Sequence, residues 1–261
     1  MPVSHLFFLL FFSHLSLCFS LNCNAADRKA LLNIKSELGN PPELSTWLPA
    51  TNCCTWSNVY CTDSGRAIPD FLSRTNLSAL DLSNNKFSGP IPLSLTKLSN
   101  LRYLDLRGNS LSGTIPPGLL HGTFRFMYLA RNKLSGEIPE DYGNGDMDMI
   151  DLSHNRLTGN PSFLFNITIP TTKIDLSWNL LEFDLTRVVL PHNLDYLDLS
   201  HNKIKGKVPK SLQDVKLSFL NLSYNELCGE IPNRRFMVRH QAESYLHNKC
   251  LCGTPLPPCK S

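Results

Sequence analysis

The sequence predicts an α/β solenoid: a right-handed coil of about seven 23–24-residue units, with parallel strands on a concave face and disulfide-closed caps at both ends. Three observations predict it. One phrase recurs at near-constant spacing, an asparagine in each copy keeps phase with three apolar positions, and the cysteines are segregated to the two flanks of the repeats.

The phrase reads "LARNKLSGEIPE" over residues 129–140, "LSNNKFSGPIPL" over 82–93, "LRGNSLSGTIPP" over 106–117 and "LSYNELCGEIPN" over 222–233. Aligned on its asparagine, it recurs at Asn85, Asn109, Asn132, Asn155, Asn179, Asn202 and Asn225, with spacings of 24, 23, 23, 24, 23 and 23 residues. The apolar positions hold with it, from Leu77, Leu80 and Leu82 before Asn85 to Leu217, Leu220 and Leu222 before Asn225. Bulkier residues fill the third copy, Phe124, Met127 and Leu129. This is the leucine-rich repeat. Each copy supplies a short strand with one apolar face, which only stacking against neighbours can bury. The asparagine is expected to bond to backbone groups at the turn. Downstream, glycine permits a tight reversal and proline sets the return segment. Copies four and five lose the Ile-Pro pair ("LTGNPS", "LEFDLT"), so an irregular convex side is expected there.

Four segments follow. Residues 1–20 read as a signal peptide: "LFFLLFFSHLSLCFS" is apolar, short for a span, and ends with small residues at Cys18 and Ser20. Only His5 precedes the run as a basic residue, and a signal anchor is the alternative. Residues 21–66 form the N-terminal cap, in which "NAADRKALLNIKSELGN" reads as a helix capped by Asn24. Its stripe of Leu31, Leu32, Ile34 and Leu38 covers the open end of the solenoid, with Trp56 and Val59 against the first repeat. The repeats span residues 67–232 and the C-terminal cap 233–261.

After signal removal, eight cysteines remain. Cys23, Cys53, Cys54 and Cys61 precede the repeats; Cys228, Cys250, Cys252 and Cys259 follow them. Each cluster admits three pairings, and the preferred set is Cys23–Cys53, Cys54–Cys61, Cys228–Cys250 and Cys252–Cys259. The competing zinc reading lacks a C-x-x-C pair. Asn76, Asn166 and Asn221 are N-glycosylation acceptors by motif, and Asn221, flanked by Leu220 and Leu222, points away from the core.

Charge and motif content narrow the function classes. A formal net charge of +3 gives no argument for nucleic acid. No nucleophile motif, paired-carboxylate site or phosphate loop is present, so the expectation is no enzyme, no cofactor and no metal.

The concave face is the expected protein-binding site. Between the last two leucines of each copy stand Asp81, Asp105, Tyr128, Asp151, Asp175, Asp198 and Asn221. Just before each asparagine stand Asn84, Gly108, Arg131, His154, Trp178, His201 and Tyr224. Arg107, Thr172 and Lys173 complete the candidate contact set. The functional reading is an acidic and aromatic recognition stripe with Trp178 and Tyr224 as anchors; for the aspartates, ordinary solvated positions are the alternative. Seven strands about 4.8 Å apart offer on the order of 500 Å² of concave face, below the about 800 Å² per partner of a stable interface.

"NCCTWSNVYC", the L-x-G-x-I-P repeats, the later run "LLEFDLTRVVLPHNLDYLDLSHNKIKGKVP" and the tail "YLHNKCLCGTPLPPC" together resemble the plant polygalacturonase-inhibiting proteins. The resemblance implies a monomeric apoplastic defence protein that grips fungal or insect endopolygalacturonases with its concave sheet, with cell-wall pectin as a further contact. It also implies about ten repeats, where this chain has seven. Only "TDSGRA" separates Cys61 from Ile68, and Ile68 keeps phase with Ile91, 23 residues on. About three early repeats are therefore missing, by deletion or by a misjoined gene model, and weakened or lost inhibition is expected. Two other roles fit a repeat face. One is a receptor-like or scaffold module binding a peptide or another repeat protein. The other is ice binding, which Arg107, Arg131, Trp178 and Tyr224 disfavour by interrupting any flat array of small polar residues.

Overall fold

The computed structural model describes residues 25–37, 40, 42–53, 56, 61–62, 65–68, 77–119, 125–141, 147–165, 170–233 and 236–260. The signal segment, Cys23, Asn24, Leu38, Gly39, Cys54, Val59, Asn76, Phe124 and Asn166 lie outside them.

Seven parallel strands make the main sheet: Ala79–Asp81, Tyr103–Asp105, Phe126–Tyr128, Met149–Asp151, Lys173–Asp175, Tyr196–Asp198 and Phe219–Asn221. Each pairs only with the strands of adjacent repeats and in unshifted register, with Leu80 beside Leu104 and Leu197 beside Leu220. The strand's period of two sends Leu104 and Leu106 inward, both fully buried, and Tyr103 and Asp105 to the opposite face. The resulting core is one continuous column from Leu31 in the first cap to Tyr245 in the second.

The repeat asparagines stitch the turns together. Asn155 Nδ2 donates to the carbonyls of Leu129, Leu152 and Ser153 at 3.0–3.2 Å, and its Oδ1 accepts from the Leu134 N–H at 3.0 Å. One side chain thus satisfies four backbone groups in two repeats, replacing ladder partners lost where each strand turns. The ladder has an eighth rung that the sequence reading missed. Asn248 lies 23 residues after Asn225 and makes the same bonds, to Leu222, Tyr245 and Leu227. Tyr245 takes the buried leucine place in this half-repeat. Its hydroxyl has no partner among the described residues, and burial pushes its pKa up.

A second parallel sheet lies behind the first: Ser88–Gly89, Ser110–Gly113, Lys133–Glu137 and Arg156–Thr158. Here the expected irregularity needs correcting for copy four, while copy five adds no strand to this sheet among the described residues and only an isolated bridge at Asp184. Copy four stays regular, with Arg156–Thr158 paired to Lys133–Glu137. Copy five keeps the ladder through Lys203 and Lys205, which donate to the Leu181 and Phe183 carbonyls. The ladder depends on backbone groups that the missing Ile-Pro pair never supplied. Phe165 and Phe183, stacked 6.3 Å apart, fill the core instead. Copy five departs locally, because Phe183 occupies the place where other copies have a positive-φ glycine.

The caps close the column. The helix Ala25–Glu37 places Leu31 in the core, beside a stacked Trp47–Trp56 pair 5.4 Å apart. Cys53 is disulfide-bonded. Cys61–Thr62 pairs antiparallel with Gly65–Arg66, and this hairpin abuts Ser88–Gly89, so the cap meets the Asn85 repeat directly. At the far end Cys228 bonds Cys250 and Cys252 bonds Cys259, while Cys228–Glu230 pairs with Cys250–Cys252. Among the described residues no helix is long and apolar enough to cross a membrane.

Candidate protein-binding face

Three columns run along the concave face, one residue per repeat in each. Predicted strand ends turn out to be something else in the column before the asparagines. Asn84, Gly108, Arg131, His154, Trp178, His201, Tyr224 and His247 all have φ between 53° and 68°, in the left-handed region. That region disfavours every one of them except glycine and, less strongly, asparagine. The turn persists because the Arg131, His154, Trp178 and His201 N–H groups each bond to the carbonyl of a serine in the next repeat. At Gly108 an added Cβ would lie 2.5 Å from Asn84 Oδ1, so a larger residue there would require the Asn84 side chain to move.

The left-handed turn stacks the side chains. His154 and Trp178 rings lie 5.3 Å apart, Trp178 and His201 3.6 Å, His201 and Tyr224 4.0 Å, and Tyr224 and His247 4.1 Å, all within 20° of parallel. Five rings therefore form one continuous stack, with Trp178 50% and Tyr224 44% exposed. Stacking covers the faces and leaves the N–H and O–H edges toward solvent. The sequence reading found four of the five; His247 was legible at 23 residues after Tyr224.

The aspartate column is a correction. Asp105, Asp175 and Asp198 are buried, so they are neither freely exposed contacts nor solvated bystanders. In each, Oδ1 accepts from the backbone N–H two residues on: Arg107 for Asp105, Ser177 for Asp175, Ser200 for Asp198. Asp81 and Asp151 do the same with Ser83 and Ser153. The recurrent "LDLS" thus encodes a side chain that caps its own strand. Tyr128 breaks the column and donates toward Met149 Sδ at 3.4 Å.

Neutralisation differs along the column. Arg107 Nη2 sits 2.6 Å from Asp105 Oδ2 and its guanidinium lies 4.8 Å from the Tyr128 ring. Tyr103 also donates to Asp105, at 3.3 Å, and burial with the nearby Asp105 charge pushes Tyr103 up to about 12. Asp175 has no salt-bridge partner among the described residues. Ser177 gives it N–H and hydroxyl bonds at 3.2 and 2.7 Å, and Tyr196 a hydroxyl bond at 3.4 Å. Burial, with the flanking Asp151 and Asp198 charges, raises its pKa to about 6. Burial lowers both His154 and His201, with Arg131 adding to the effect at His154.

The third column, the first residue of each strand, escaped the sequence reading apart from Lys173. Tyr196 and Phe219 stack 4.4 Å apart, and Lys173 Nζ lies 4.3 Å from the Tyr196 ring. Tyr103 and Phe126 stand tilted at 6.2 Å. Simple alternation would have found them, since each lies two residues before its aspartate position on the same face. Thr172 donates to the Asp148 carbonyl at 3.1 Å, a structural bond at the edge of this face. Between the ring stack and the third column runs an open groove of about 390 Å³, floored by Asp151, Asp175, Asp198 and Asn221 and walled by Trp178, His201 and Tyr196. No group of three or more His, Cys, Asp or Glu is placed to hold a metal among the described residues.

Comparison with known proteins places this architecture. Residues 24–62 match the leucine rich repeat N-terminal domain family, and 76–98, 100–121, 193–215 and 216–234 match the leucine rich repeat. Polygalacturonase inhibitor 1 of Oryza sativa subsp. japonica is 41% identical over an alignment covering 92% of each chain. The chain belongs to the polygalacturonase-inhibitor family.

That alignment runs to 307 positions but takes in only 92% of these 261 residues, so about 67 positions of the rice inhibitor have no counterpart here, close to three units of a 20–29-residue repeat. The polygalacturonase-inhibitor fold is shared more widely. A plant ice-binding protein superposes with a TM-score of 0.59 at 31% identity, covering 92% of this chain and 99% of that one. The ectodomain of the Arabidopsis thaliana receptor kinase GASSHO1/SCHENGEN3, solved in complex with CASPARIAN STRIP INTEGRITY FACTOR 2, superposes with a TM-score of 0.66 at 34% identity. This chain covers 24% of that ectodomain.

Proposed function

We propose that this protein is a secreted extracellular inhibitor that binds fungal endopolygalacturonases in the plant cell wall, and that it is not itself an enzyme. The observation that carries the reading is the concave groove: a floor that includes the buried Asp175 and Asp198, between the stacked rings of His154, Trp178 and His201 and the Tyr196 ring. Amphipathic rings held in place lose little side-chain entropy on binding, which suits them as anchors. Family membership and the likeness to the rice polygalacturonase inhibitor support the choice of partner. The signal-like N-terminus and the capped ends support the compartment.

Titrating the secreted chain against a panel of endopolygalacturonases, reading residual activity and binding together, tests it. Binding with partial inhibition is expected, because the missing repeats shorten the face. Neither binding nor inhibition from a folded, disulfide-closed sample would sink the reading. The receptor-like reading draws support from the open groove and from the similar receptor-kinase ectodomain, solved with a bound partner; capture of an extended peptide in place of the enzyme would favour it. A recrystallisation assay tests ice binding, for which a negative result is expected.

A further inference from the structure

The charge of the concave floor stops before the sheet does. Asp151, Asp175 and Asp198 follow one another in register, and the next strand, Phe219–Asn221, puts a neutral amide in their place. Backbone bonds then carry the sheet one step further, from the Leu222 N–H to the Ser244 carbonyl and from the Tyr224 N–H to the Leu246 carbonyl. The floor residue of that step is Ser244, again neutral. Tyr245 takes the inward place and is fully buried, so Leu246 beside it turns to the concave side, where it is 41% exposed. The margins change with the floor. Phe219 is exposed and lies flat against Tyr196, and Tyr224 is held between His201 and His247. Four of the eight large apolar side chains exposed among the described residues, Trp178, Phe219, Tyr224 and Leu246, lie on this half of one face. Such clustering marks a contact surface, whereas single exposed leucines do not. Stacking already fixes the rings, so little side-chain freedom is lost when a partner covers them.

We propose that the concave face beyond Asp198 is an apolar subsite, and that the partner enters it with an extended loop in which two side chains stand two residues apart: a basic one over Asp198 and an apolar one on Phe219, Tyr224 and Leu246. Charge complementarity sets the first contact. Asp175 and Asp198 are buried without a salt bridge among the described residues, and a lysine or arginine of the loop supplies the opposite charge. Spacing sets the second contact. The middle of the apolar end, between the Asn221 and Ser244 steps, lies one and a half strand intervals from Asp198, about 7 Å at about 4.8 Å per strand. Side chains two apart on an extended chain lie on the same side, also about 7 Å from each other. Adjacent residues point to opposite sides and satisfy only one of the two contacts. The choice of a hydrolase loop as occupant rests on the reading of this face as the enzyme-binding surface; the pairing of a basic with an apolar contact does not.

Two measurements test the subsite on the chain exported to a bacterial periplasm, where disulfides form and Asn221 stays bare. In the first, fluorescence anisotropy follows labelled glycine-serine peptides that carry lysine and leucine two positions apart in either order, the same pair adjacent, or lysine alone. The better of the two-apart peptides is expected to bind at least about fivefold more tightly than the adjacent pair or lysine alone, and Leu246→Ser to erase that difference. Equal or absent binding, or a preference that survives Leu246→Ser, overturns the subsite. In the second, calorimetry follows an endopolygalacturonase that binds the unsubstituted chain. Leu246→Ser is expected to weaken that complex about tenfold without changing its salt dependence, because the lost contact is apolar. Leu246→Met should bind nearly as the unsubstituted chain does, and Asp198→Asn should flatten the salt dependence. Full affinity in Leu246→Ser overturns the subsite and leaves the inhibitor reading standing. An unsubstituted chain that binds no enzyme sinks the inhibitor reading, and the peptides then decide the subsite alone. Leu246→Gln, closer in size to leucine, takes the place of Leu246→Ser should the serine variant fail to fold.

Discussion

The two halves of the concave face are built from one template and reach opposite electrostatic states. In the first half, Asp105 is fully buried but pinned by the Arg107 guanidinium and the Tyr103 hydroxyl, and the turn column reads Asn84, Gly108 and Arg131, without a ring. In the second half, Asp151, Asp175 and Asp198 follow one another without a salt bridge among the described residues, beside five stacked rings. In every complete copy except that of Tyr128, one side-chain oxygen caps a backbone N–H two residues on. What neutralises the remaining charge is left to the variable positions. The first half spends them on internal pairing; the second leaves Asp175 and Asp198 without a salt bridge among the described residues, and Trp178 and Tyr224 about half exposed.

The largest expected effect breaks the frame common to both halves. Asn155→Ala strips four backbone groups of their partner where the halves join, and is expected to destabilise by about 3 kcal/mol or more. Asn85→Ala, which removes two donated bonds, should cost clearly less in the same urea titration. Next come two substitutions with opposite signs. Arg107→Ala leaves Asp105 buried and unpaired and should destabilise by about 2 kcal/mol, discounted because the arginine is partly exposed. Asp175→Asn keeps the acceptor for Ser177, removes an unneutralised charge, and should stabilise at pH 7 by up to about 2 kcal/mol. A stabilised Arg107→Ala or a destabilised Asp175→Asn would erase the distinction between the halves.

The same contrast has a pH signature. The folded Asp175 pKa of about 6 lies above that of an unfolded carboxyl, about 3.9. The folded chain therefore holds this proton more tightly. The contribution is fully present below pH about 4 and is lost as pH rises through about 6. Asp175→Asn should flatten the stability curve in that window, measured as urea midpoint against pH. Trp178→Ala should weaken polygalacturonase binding by about 2 kcal/mol while Phe126→Ala in the first half changes it far less, read by calorimetry. The smallest effect is Tyr245→Phe, expected to be neutral or stabilising by about 0.5 kcal/mol, because its hydroxyl has no partner to lose.

The repeat period, the inward leucines, the asparagine ladder and the cap cysteines were legible because each recurs or clusters in the linear chain, and because a strand's period of two fixes which residues face inward. Asn248 was equally legible but was masked by the tyrosine standing in its leucine place. Other features were decided only in three dimensions. That the column before each asparagine is left-handed follows from bonds to the next repeat, which no local propensity predicts for histidine, tryptophan or tyrosine. That Asp105 is paired while Asp175 is not depends on which side chains neighbouring repeats bring within reach. Sequence set the spacing of the rungs; stacking set how close the rungs' side chains came, and with it which charges were paired and which rings stayed exposed.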